Sequence, residues 1–426
     1  MRRRKLVIAA WCLYDWAITP FPTLVTTFII SNYFARAIAP DPTAGSASWS
    51  YMVALAGVVI ALASPPLGAI ADRIGHAKRG IAIASLATVI SGGLLWFAKP
   101  DPALALPVLI TAGVGIVAIE LGQLFFNALL PAVAPREMIG RVSGWGWAAG
   151  YAGGLVCLAV ALLLLINPEQ PIFGLSHEAS ANIRACGPLV ALWLIVFGWP
   201  LFPFVPDLPR TRMGVGEAIR EGFAELRRTV TKLRAVPGMT QFLIASALYR
   251  DGITTILTIG GLYAGTTFGM DFTELVTFGI GLQVTAGLGA AGFAWLDDAV
   301  GSKRTIVLSL VGLIGFGAAI IAIRDKTLFF YLSLALGIFI GPAQSASRSM
   351  VVRLSPDRQI GQFFGLYALT GRAATFIGPA LFGWVTTMAH SQRAGLTVVL
   401  MLLIIGLVLL LAVREPNGDV QRDIQR

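Results

Sequence analysis

Apolar runs of about twenty residues recur from one end of the chain to the other, and each is long enough to cross a bilayer as a helix. The 426 residues are 56% hydrophobic and 13% charged, whereas a soluble chain carries about 25% charged residues. The sequence therefore predicts an all-α, polytopic membrane protein.

The apolar runs define twelve spans. They lie at residues 8–35, 50–71, 80–98, 103–130, 142–166, 186–206, 239–266, 274–296, 305–323, 327–350, 362–388 and 395–413. An even number of spans places both termini on one side of the membrane. If that side is the cytosol, most of the 32 Lys and Arg residues fall in cytosolic segments, as the positive-inside rule requires. The net charge of +10 follows from this bias and does not indicate nucleic-acid binding.

A basic N-terminus, Arg2 to Lys5, imitates the start of a signal peptide. The apolar run that follows is far longer than the core of a signal peptide, so we expect it to remain as the first span. Cys12, Cys157 and Cys186 lie in apolar runs, and the three histidines show no ligand spacing. We therefore expect no disulfide framework and no bound metal or cofactor.

Short motifs recur about half a chain apart and in the same order. LYDWAIT (13–19) is similar to LYRDGIT (248–254). PREMIGRVSG (135–144) shares the spacing of its Pro, Ile and two Gly with PDRQIGQFFG (356–365). In the loops after spans 2 and 8, an Asp also stands three residues before a Gly. Three such matches indicate an internal repeat.

The repeat predicts two pseudo-symmetric bundles of six transmembrane helices, residues 1–206 and 239–413. A cytosolic linker, 207–238, joins them, and a cytosolic tail, 414–426, follows. Within the linker, apolar residues recur at steps of four and three, with basic residues between them. This pattern indicates an amphipathic helix that either lies on the cytosolic face of the membrane or links the bundles in solvent.

Four charged residues lie inside the spans at one predicted depth. Asp15, Glu120, Asp251 and Arg372 each stand ten to twelve residues from the cytosolic end of their span, which is about 15–18 Å at the rise of a helix. A carboxylate at this depth costs about 2.5–3.5 kcal/mol, so we expect the four groups to face a common polar cavity. Alternatively, Arg250 or Arg372 neutralises Asp15 or Glu120 and holds the two bundles together.

The predicted cavity assigns a role to each residue type. The three acids are candidates for proton coupling, because a low-dielectric site disfavours the charged carboxylate and allows it to bind a proton. Arg372 is a candidate for a substrate carboxylate, and an acid together with Trp16 for a substrate ammonium. The other substrate-binding candidates lie near the same depth: Tyr14, Gln123, Asn127, Tyr249, Arg250, Gln344 and Ser347.

The loops after spans 2 and 8 carry a second group of candidates. Asp72 follows the C-terminus of its helix, where the helix dipole disfavours an anion, so we expect it near the free N–H groups that begin span 11 at Gly361. By the repeat, Asp298 should face the start of span 5 near Arg141. Such contacts would latch a cytosolic gate, whereas the alternative is a tight turn with anchoring charges. The gate candidates are Gly68, Asp72, Arg73, Gly75, Lys78, Arg79, Asp298, Gly301, Lys303 and Arg304.

These motifs resemble those of a known superfamily and of one family within it. GAIADRIGHAKR (68–79) resembles the loop motif of the major facilitator superfamily. Other segments resemble the vacuole-effluxer, autophagy-related family, which has bacterial members: YDWA (14–17), NALLP (127–131), GRVSGWGWAAGYAGG (140–154), SASRS (345–349) and FFGLYALTGR (363–372).

The resemblance covers nearly the whole chain and implies the major facilitator fold, with transport by a rocker-switch movement. For a bacterial member it implies the inner membrane, and fungal relatives export amino acids from vacuoles. Ile18 and Pro20 stand where the family usually has a polar Asn-Ser run, so the substrate contacts of span 1 differ from the family pattern.

Together the patterns predict a secondary transporter, not an enzyme, that works by alternating access. Acids and bases in one cavity suit a small zwitterion such as an amino acid, exported with proton coupling. A lipid or lysolipid flippase on the same fold is the alternative and would need an apolar lateral opening. Neither HExxH nor GxSxG occurs in the sequence, which argues against a membrane enzyme. We expect a monomer whose partners are a small-molecule substrate, protons and the bilayer.

Overall fold

The computed structural model describes residues 2–40, 42–74, 77–166, 168, 175, 178–207, 224, 238–270, 272–356, 359–375, 377–389 and 391–413. These residues form helices joined by short connections, without β-strands. The all-α prediction is confirmed. Gly75, nearly all of the linker and the tail 414–426 lie outside the described residues, so the amphipathic helix stays a prediction.

Each of the twelve predicted spans coincides with helix. The main helices, in chain order, are Arg2–Ile18, Pro42–Ile74, Ala77–Leu94, Ala105–Ala128, Ile139–Val160, Cys186–Gly198, Met239–Phe268, Phe272–Val300, Ser302–Ala322, Lys326–Leu354, Ile360–Ala374 with Ile377–Ala389, and Gln392–Leu411. Within the described chain, nine helical stretches are long and apolar enough to cross a membrane without interruption.

Span 1 is interrupted close to its charged residue. Its α-helix ends at Ile18, and a π-helix, Phe21–Phe28, follows. Pro20 and Pro22 cause this break, because neither has an N–H group to donate to the carbonyl four residues earlier, which belongs to Trp16 or Ile18. Interruptions of this kind free backbone groups inside a membrane protein and often mark functional sites.

The chain divides into two compact units. Unit 1 comprises Met1–Ala63, Gly75–Val133 and Ala149–Arg210. Unit 2 comprises Ser64–Ile74, Ala134–Ala148 and Thr211–Arg426. Two segments from the first half of the sequence therefore pack with the second half. The predicted bundles, divided at the linker, remain our proposal for the bodies that move during transport.

Aromatic packing forms the core of unit 1 around the first span. The rings of Trp11 and Phe126 stack with their centroids 4.4 Å apart, and Trp11 Nε1 donates to the Phe126 carbonyl. Small residues let other helices approach closely. A Cβ atom on Gly92 would lie within 3 Å of the Gly187 carbonyl oxygen, so spans 3 and 6 are in backbone contact there.

Small residues also set the packing in unit 2. Gly289 of span 8 lies against the backbone of Ile338 in span 10, and Gly341 of span 10 lies against the backbone of Ala286 in span 8. A side chain at either glycine would collide with main-chain atoms. The two helices are therefore fixed at close distance, which positions the charged residues near their C-terminal ends.

Two lysines, each the first residue of a Lys-Arg pair that follows span 2 or span 8, make similar contacts. Lys78 Nζ donates to the Phe202 carbonyl at 2.8 Å, near the end of span 6. Lys303 Nζ donates to the Leu411 and Val413 carbonyls at 2.8 and 2.6 Å, at the end of span 12. The last carbonyls of a helix lack partners inside the helix and attract cations. Each lysine therefore ties the start of one span to the end of another.

Candidate functional site

Asp15 is buried in unit 1, with 4% of its surface exposed. Its carbonyl accepts the Thr19 hydroxyl at 2.8 Å, so local polar groups cluster where the α-helix of span 1 ends. Gly150 and Gly153 of span 5 lie against this turn, and a Cβ atom on Gly153 would collide with the Trp16 carbonyl. Span 5 thus packs directly over the break that follows Asp15.

The neighbours of Asp15 in the YDWA motif contact other helices of unit 1. The Tyr14 hydroxyl lies 2.8 Å from Ser85 Oγ of span 3, and its ring packs on Phe126. Trp16 stacks on Trp193 of span 6, with centroids 5.9 Å apart. Trp16 therefore packs against span 6, and its contact with a substrate ammonium stays a prediction.

Three predicted residues share one face of span 4. Glu120, Gln123 and Asn127 follow the spacing i, i+3, i+7 on the helix Ala105–Ala128, which aligns them along one stripe. All three are half-buried. The stripe supplies a carboxylate and two amides, which together can donate and accept hydrogen bonds.

Asp251 of unit 2 is the most deeply buried of the predicted acids, with 2% of its surface exposed. Its Oδ2 accepts the Gly378 backbone N–H at 2.7 Å. Among the described residues, the buried Oδ1 has no hydrogen-bond partner. The Thr255 hydroxyl donates to the Asp251 backbone carbonyl at 2.8 Å and not to the carboxylate. Oδ1 can therefore accept a further hydrogen bond.

The contact with Gly378 depends on a break in span 11. Its first helix ends at Ala374, and a second helix, Ile377–Ala389, begins three residues later. The N–H groups at the start of the second helix have no partner inside it, and they carry the positive end of the helix dipole. Asp251 therefore caps an interrupted helix, a geometry that transporters also use to bind ions and substrates.

Arg250 lies next to Asp251 and is half-buried. Its guanidinium stacks 4.0 Å from the centroid of the Tyr367 ring, and Nη1 donates to the Tyr367 carbonyl at 3.2 Å. Gly371 makes room for the arginine, because a Cβ atom there would lie 2.6 Å from Nη1. The cation is held by one ring and one carbonyl, with further N–H donors that can bind a carboxylate.

The other predicted residues of unit 2 lie on spans 10 and 11. The Tyr249 hydroxyl lies 2.6 Å from Ser347 Oγ, and both residues are buried. Gln344 is half-buried one helical turn earlier. The backbone of Arg372 lies in the helix Ile360–Ala374, and its side chain is outside the described atoms. A shared cavity for Asp15 and these residues stays a prediction.

Asp298 contacts the start of span 5, where the repeat places it. Its Oδ1 accepts the Gly140 N–H at 2.8 Å, and its Oδ2 accepts the Arg141 N–H at 3.0 Å and Nε at 2.7 Å. The carboxylate thus meets both the free N–H groups of a helix start and a guanidinium, which are favourable partners for an anion. Gly140 is required here, because a Cβ atom would collide with Asp297 and Asp298.

The other gate candidates lie in the two loops and at the end of span 2. Gly301 has φ 92°, a backbone conformation that favours glycine. Arg79 and Arg304 are exposed, beside the two capping lysines. Gly68, Asp72 and Arg73 lie on the helix Pro42–Ile74, with side chains outside the description, so the predicted contact of Asp72 with span 11 stays a prediction.

Sequence reasoning missed a buried charged cluster in unit 2. Asp297 is buried, accepts the Ser302 hydroxyl at 2.7 Å and lies 3.4 Å from Arg353 Nη2. Arg348 is also buried: its Nη2 donates to the Ser143 carbonyl at 2.6 Å, and its Nε donates to Ser143 Oγ at 2.9 Å. Arg348 stands near the end of predicted span 10, 327–350, where a basic residue is common, so the sequence alone did not single it out.

Interrupted membrane-crossing helices and buried charges are typical of solute transporters, and solved structures share the fold. The proton:xylose symporter XylE aligns with a TM-score of 0.75 and 13% identity, over 96% of this chain and 95% of that one. FucP aligns with a TM-score of 0.74 and 12% identity, over 96% and 98%. The human organic anion transporter MFSD10 aligns with a TM-score of 0.72 and 15% identity, over 96% and 99%. The chain has the major facilitator fold, as predicted.

The sequence comparisons identify the family. Residues 38–423 match the family described as "Vacuole effluxer Atg22 like", and the chain belongs to it. The MFS-type transporter YxiO of Bacillus subtilis is 25% identical over 97% of this chain and 96% of its own length. Autophagy-related protein 22-1 of Neosartorya fischeri is 26% identical over 65% of this chain. The alignment covers 48% of that fungal protein, so this chain matches about half of its length.

The family assignment confirms the broad prediction. The chain is a multi-pass membrane protein of the MFS-type transporters, which move small molecules across membranes and are not enzymes.

Proposed function

We propose that this protein exports a small zwitterionic solute, an amino acid or a similar molecule, from the bacterial cytosol. It works by rocker-switch alternating access as a monomer in the inner membrane, with both termini cytosolic, and it is driven by protons. The observation that carries the proposal is the buried carboxylate of Asp251, which has one oxygen on an interrupted helix and the other without a described partner.

Asp251 is the preferred site for proton coupling. A buried carboxylate that lacks a cation close by is disfavoured in its charged form, so the free Oδ1 binds a proton or the ammonium group of a substrate. These two occupants exclude each other, which is what exchange of a proton for a substrate requires. Asp15 and Glu120 are the further coupling candidates.

Arg250 is the preferred site for the substrate carboxylate. Its contacts with Tyr367 fix the plane of the guanidinium, and a planar, oriented guanidinium binds a carboxylate through two parallel hydrogen bonds. Arg250 and Asp251 are consecutive residues of span 7, so a cationic and an anionic group lie at one depth in the membrane and point in different directions around the helix. Both signs of charge favour a zwitterion over an anion or a cation alone.

The contacts at the ends of spans 5, 8 and 10 serve as the cytosolic gate. Asp298 binds the start of span 5, and Arg348 binds Ser143 of the same span. In this proposal the contacts close the cytosolic side, and they separate when the protein opens inward. The loop after span 2 forms the equivalent latch with span 11.

Transport by purified protein in liposomes tests the coupling role. One proton crossing about 100 mV supplies about 2.3 kcal/mol, enough for roughly fifty-fold accumulation of the solute. A panel of radiolabelled amino acids identifies the substrate, and a fluorescent lysolipid tests the flippase alternative. We expect Asp251→Asn to lose proton-driven accumulation and to retain exchange of labelled for unlabelled substrate.

Asp325→Asn is the matched control. Asp325 also accepts a backbone N–H at a helix start, from Leu328 at 2.7 Å, but it is exposed. The control should transport like the original protein. If Asp251→Asn accumulates solute as the original does, Asp251 is not the coupling residue; transport of the lysolipid instead of amino acids would favour the flippase.

A further inference from the structure

Unit 2 contains an apolar cavity away from the charged residues described above. Spans 7 and 9 contribute residues near their ends, and spans 8, 10 and 12 contribute residues near their starts. Successive spans cross the membrane in opposite directions, so all of these residues lie in the same leaflet. In the orientation proposed above, it is the leaflet opposite the cytosolic gate.

The lining of the cavity selects an apolar occupant. It is built from aliphatic and aromatic side chains, among them Leu282, Phe329 and Leu400, and the lining residues that the structure describes include no charged one. Its hydroxyl groups are those of Tyr263 and Ser333. A polar solute placed here would lose its hydrogen bonds to water without equivalent replacement, so this cavity is not a second site for the zwitterion.

The size of the cavity limits the occupant further. About 60 Å³ of the cavity is open to the centre of a water-sized sphere, so several small apolar groups fit in it together. This space matches part of a hydrocarbon chain.

Span 7 leaves the cavity open at two glycines. No atom lies within 4 Å of the position that a Cβ atom would take on Gly260, which lines the cavity, or on the next residue, Gly261. Gly261 is exposed, and so is Leu257 one turn earlier. Gly260 lies nine residues beyond Asp251, about 13.5 Å by helical rise, which places the opening near the edge of the hydrocarbon layer, where an acyl chain enters it.

We propose that this cavity binds part of one acyl chain of a membrane phospholipid, which enters beside Gly260. The surrounding bilayer supplies acyl chains at this depth, and the lining and the volume accept a hydrocarbon segment and little else. Such a chain fills space between five helices of unit 2. The site goes beyond the proposed transport function and does not depend on it.

Photolabelling tests the site. The full-length protein is reconstituted in phosphatidylethanolamine vesicles that contain a small fraction of the same lipid with a diazirine within one acyl chain. After illumination, mass spectrometry locates the labelled residues. We expect label on lining residues such as Tyr263, Phe329 and Ser333, in addition to label on exposed, lipid-facing residues. Label on exposed residues alone would show that the cavity stays empty and would overturn the proposal.

A pair of glycine substitutions gives the matched comparison. Gly260→Leu places a side chain in the cavity, and we expect at least a tenfold loss of label from the lining residues. Gly315→Leu makes the same change on an exposed part of span 9, where a Cβ atom also meets nothing within 4 Å, and it should leave the labelling unchanged. Equal labelling of the lining in both variants contradicts the proposal.

The smaller variant Gly260→Ala guards against misfolding. Its melting temperature should match that of the original protein, and its lining label should fall between those of the original and Gly260→Leu. The photolabelling assay contains no transport substrate, so a variant that has lost transport can still be compared by its labelling of the lining residues. Conversely, failure of the lipid site leaves the roles of Asp251 and Arg250 unaffected.

Discussion

Arg348 and Ser143 lie 205 positions apart in the chain, and the buried guanidinium of one donates to both the hydroxyl and the carbonyl of the other. The arginine belongs to span 10 and the serine to span 5. The Ser143 hydroxyl in turn donates to the Ser345 carbonyl at 2.9 Å, so the bond network connects the two helices in both directions. With 3% of its surface exposed, Arg348 is a buried charge for which these contacts replace water.

Ser143→Ala should therefore destabilise the protein. The substitution removes the hydroxyl that accepts the hydrogen bond of Arg348 Nε. Hydrogen bonds to charged groups contribute about 1.5–3 kcal/mol to the free energy of unfolding. Unfolding by titration with SDS measures the difference. Ser309→Ala is the control, since the buried Ser309 hydroxyl bonds within its own helix to the Thr305 carbonyl and should contribute about 0.5–1.5 kcal/mol. Equal losses in the two variants would argue against a special role for the contact.

Gly140→Ala should weaken the contact between spans 5 and 8. The added Cβ atom would lie 2.6–2.7 Å from atoms of Asp297 and Asp298, so the carboxylates must move away from the helix start. Overpacking of this kind costs about 1–3 kcal/mol. We expect faster alkylation of a cysteine placed at the cytosolic end of the transport path. Gly57→Ala, where the Cβ atom meets nothing within 4 Å, should alkylate at the original rate; a faster rate there would show that the assay is not specific to the gate.

Tyr367→Leu should raise the KM for a carboxylate-bearing substrate and leave kcat nearly unchanged. The substitution removes the ring that fixes Arg250, and a cation–π contact contributes about 0.5–2 kcal/mol, which corresponds to roughly a two- to thirty-fold change in affinity. Initial rates of uptake over a range of substrate concentrations separate the two constants. Tyr331→Leu, at an exposed tyrosine, is the control. A fall in kcat with unchanged KM would place Arg250 outside the binding site.

Lys78→Met and Lys303→Met should destabilise the protein by similar amounts. Each change removes a cation from the carbonyls that end a helix, a contact that contributes about 0.3–1 kcal/mol at a partly exposed site. Because Arg79 and Arg304 are exposed neighbours, Arg79→Met and Arg304→Met are the matched controls and should change the melting temperature less. A large loss of stability in only one of the two lysine variants would mean that the two contacts do not stabilise the protein equally.

The positions of the candidate residues could be predicted from the sequence better than their partners. Asp15 and Asp251 are recognisable because an acid within an apolar span is costly and rare. The contact of Asp298 with the start of span 5 followed from the repeat together with the helix dipole. The packing partner of Trp16 could not be predicted from the sequence, because an aromatic residue beside an acid fits a binding site and a packed core equally well. The structure places it against Trp193.

The sequence by itself determined the membrane class, the all-α fold, the twelve spans and the internal repeat. The bilayer imposes a fixed length and low polarity on every span, and these requirements can be read from each segment alone. The tertiary structure decided which polar groups meet, such as Asp251 with Gly378, 127 positions away. That pairing depends on how each helix is rotated and where it breaks, and both follow from packing among many side chains that lie far apart in the chain.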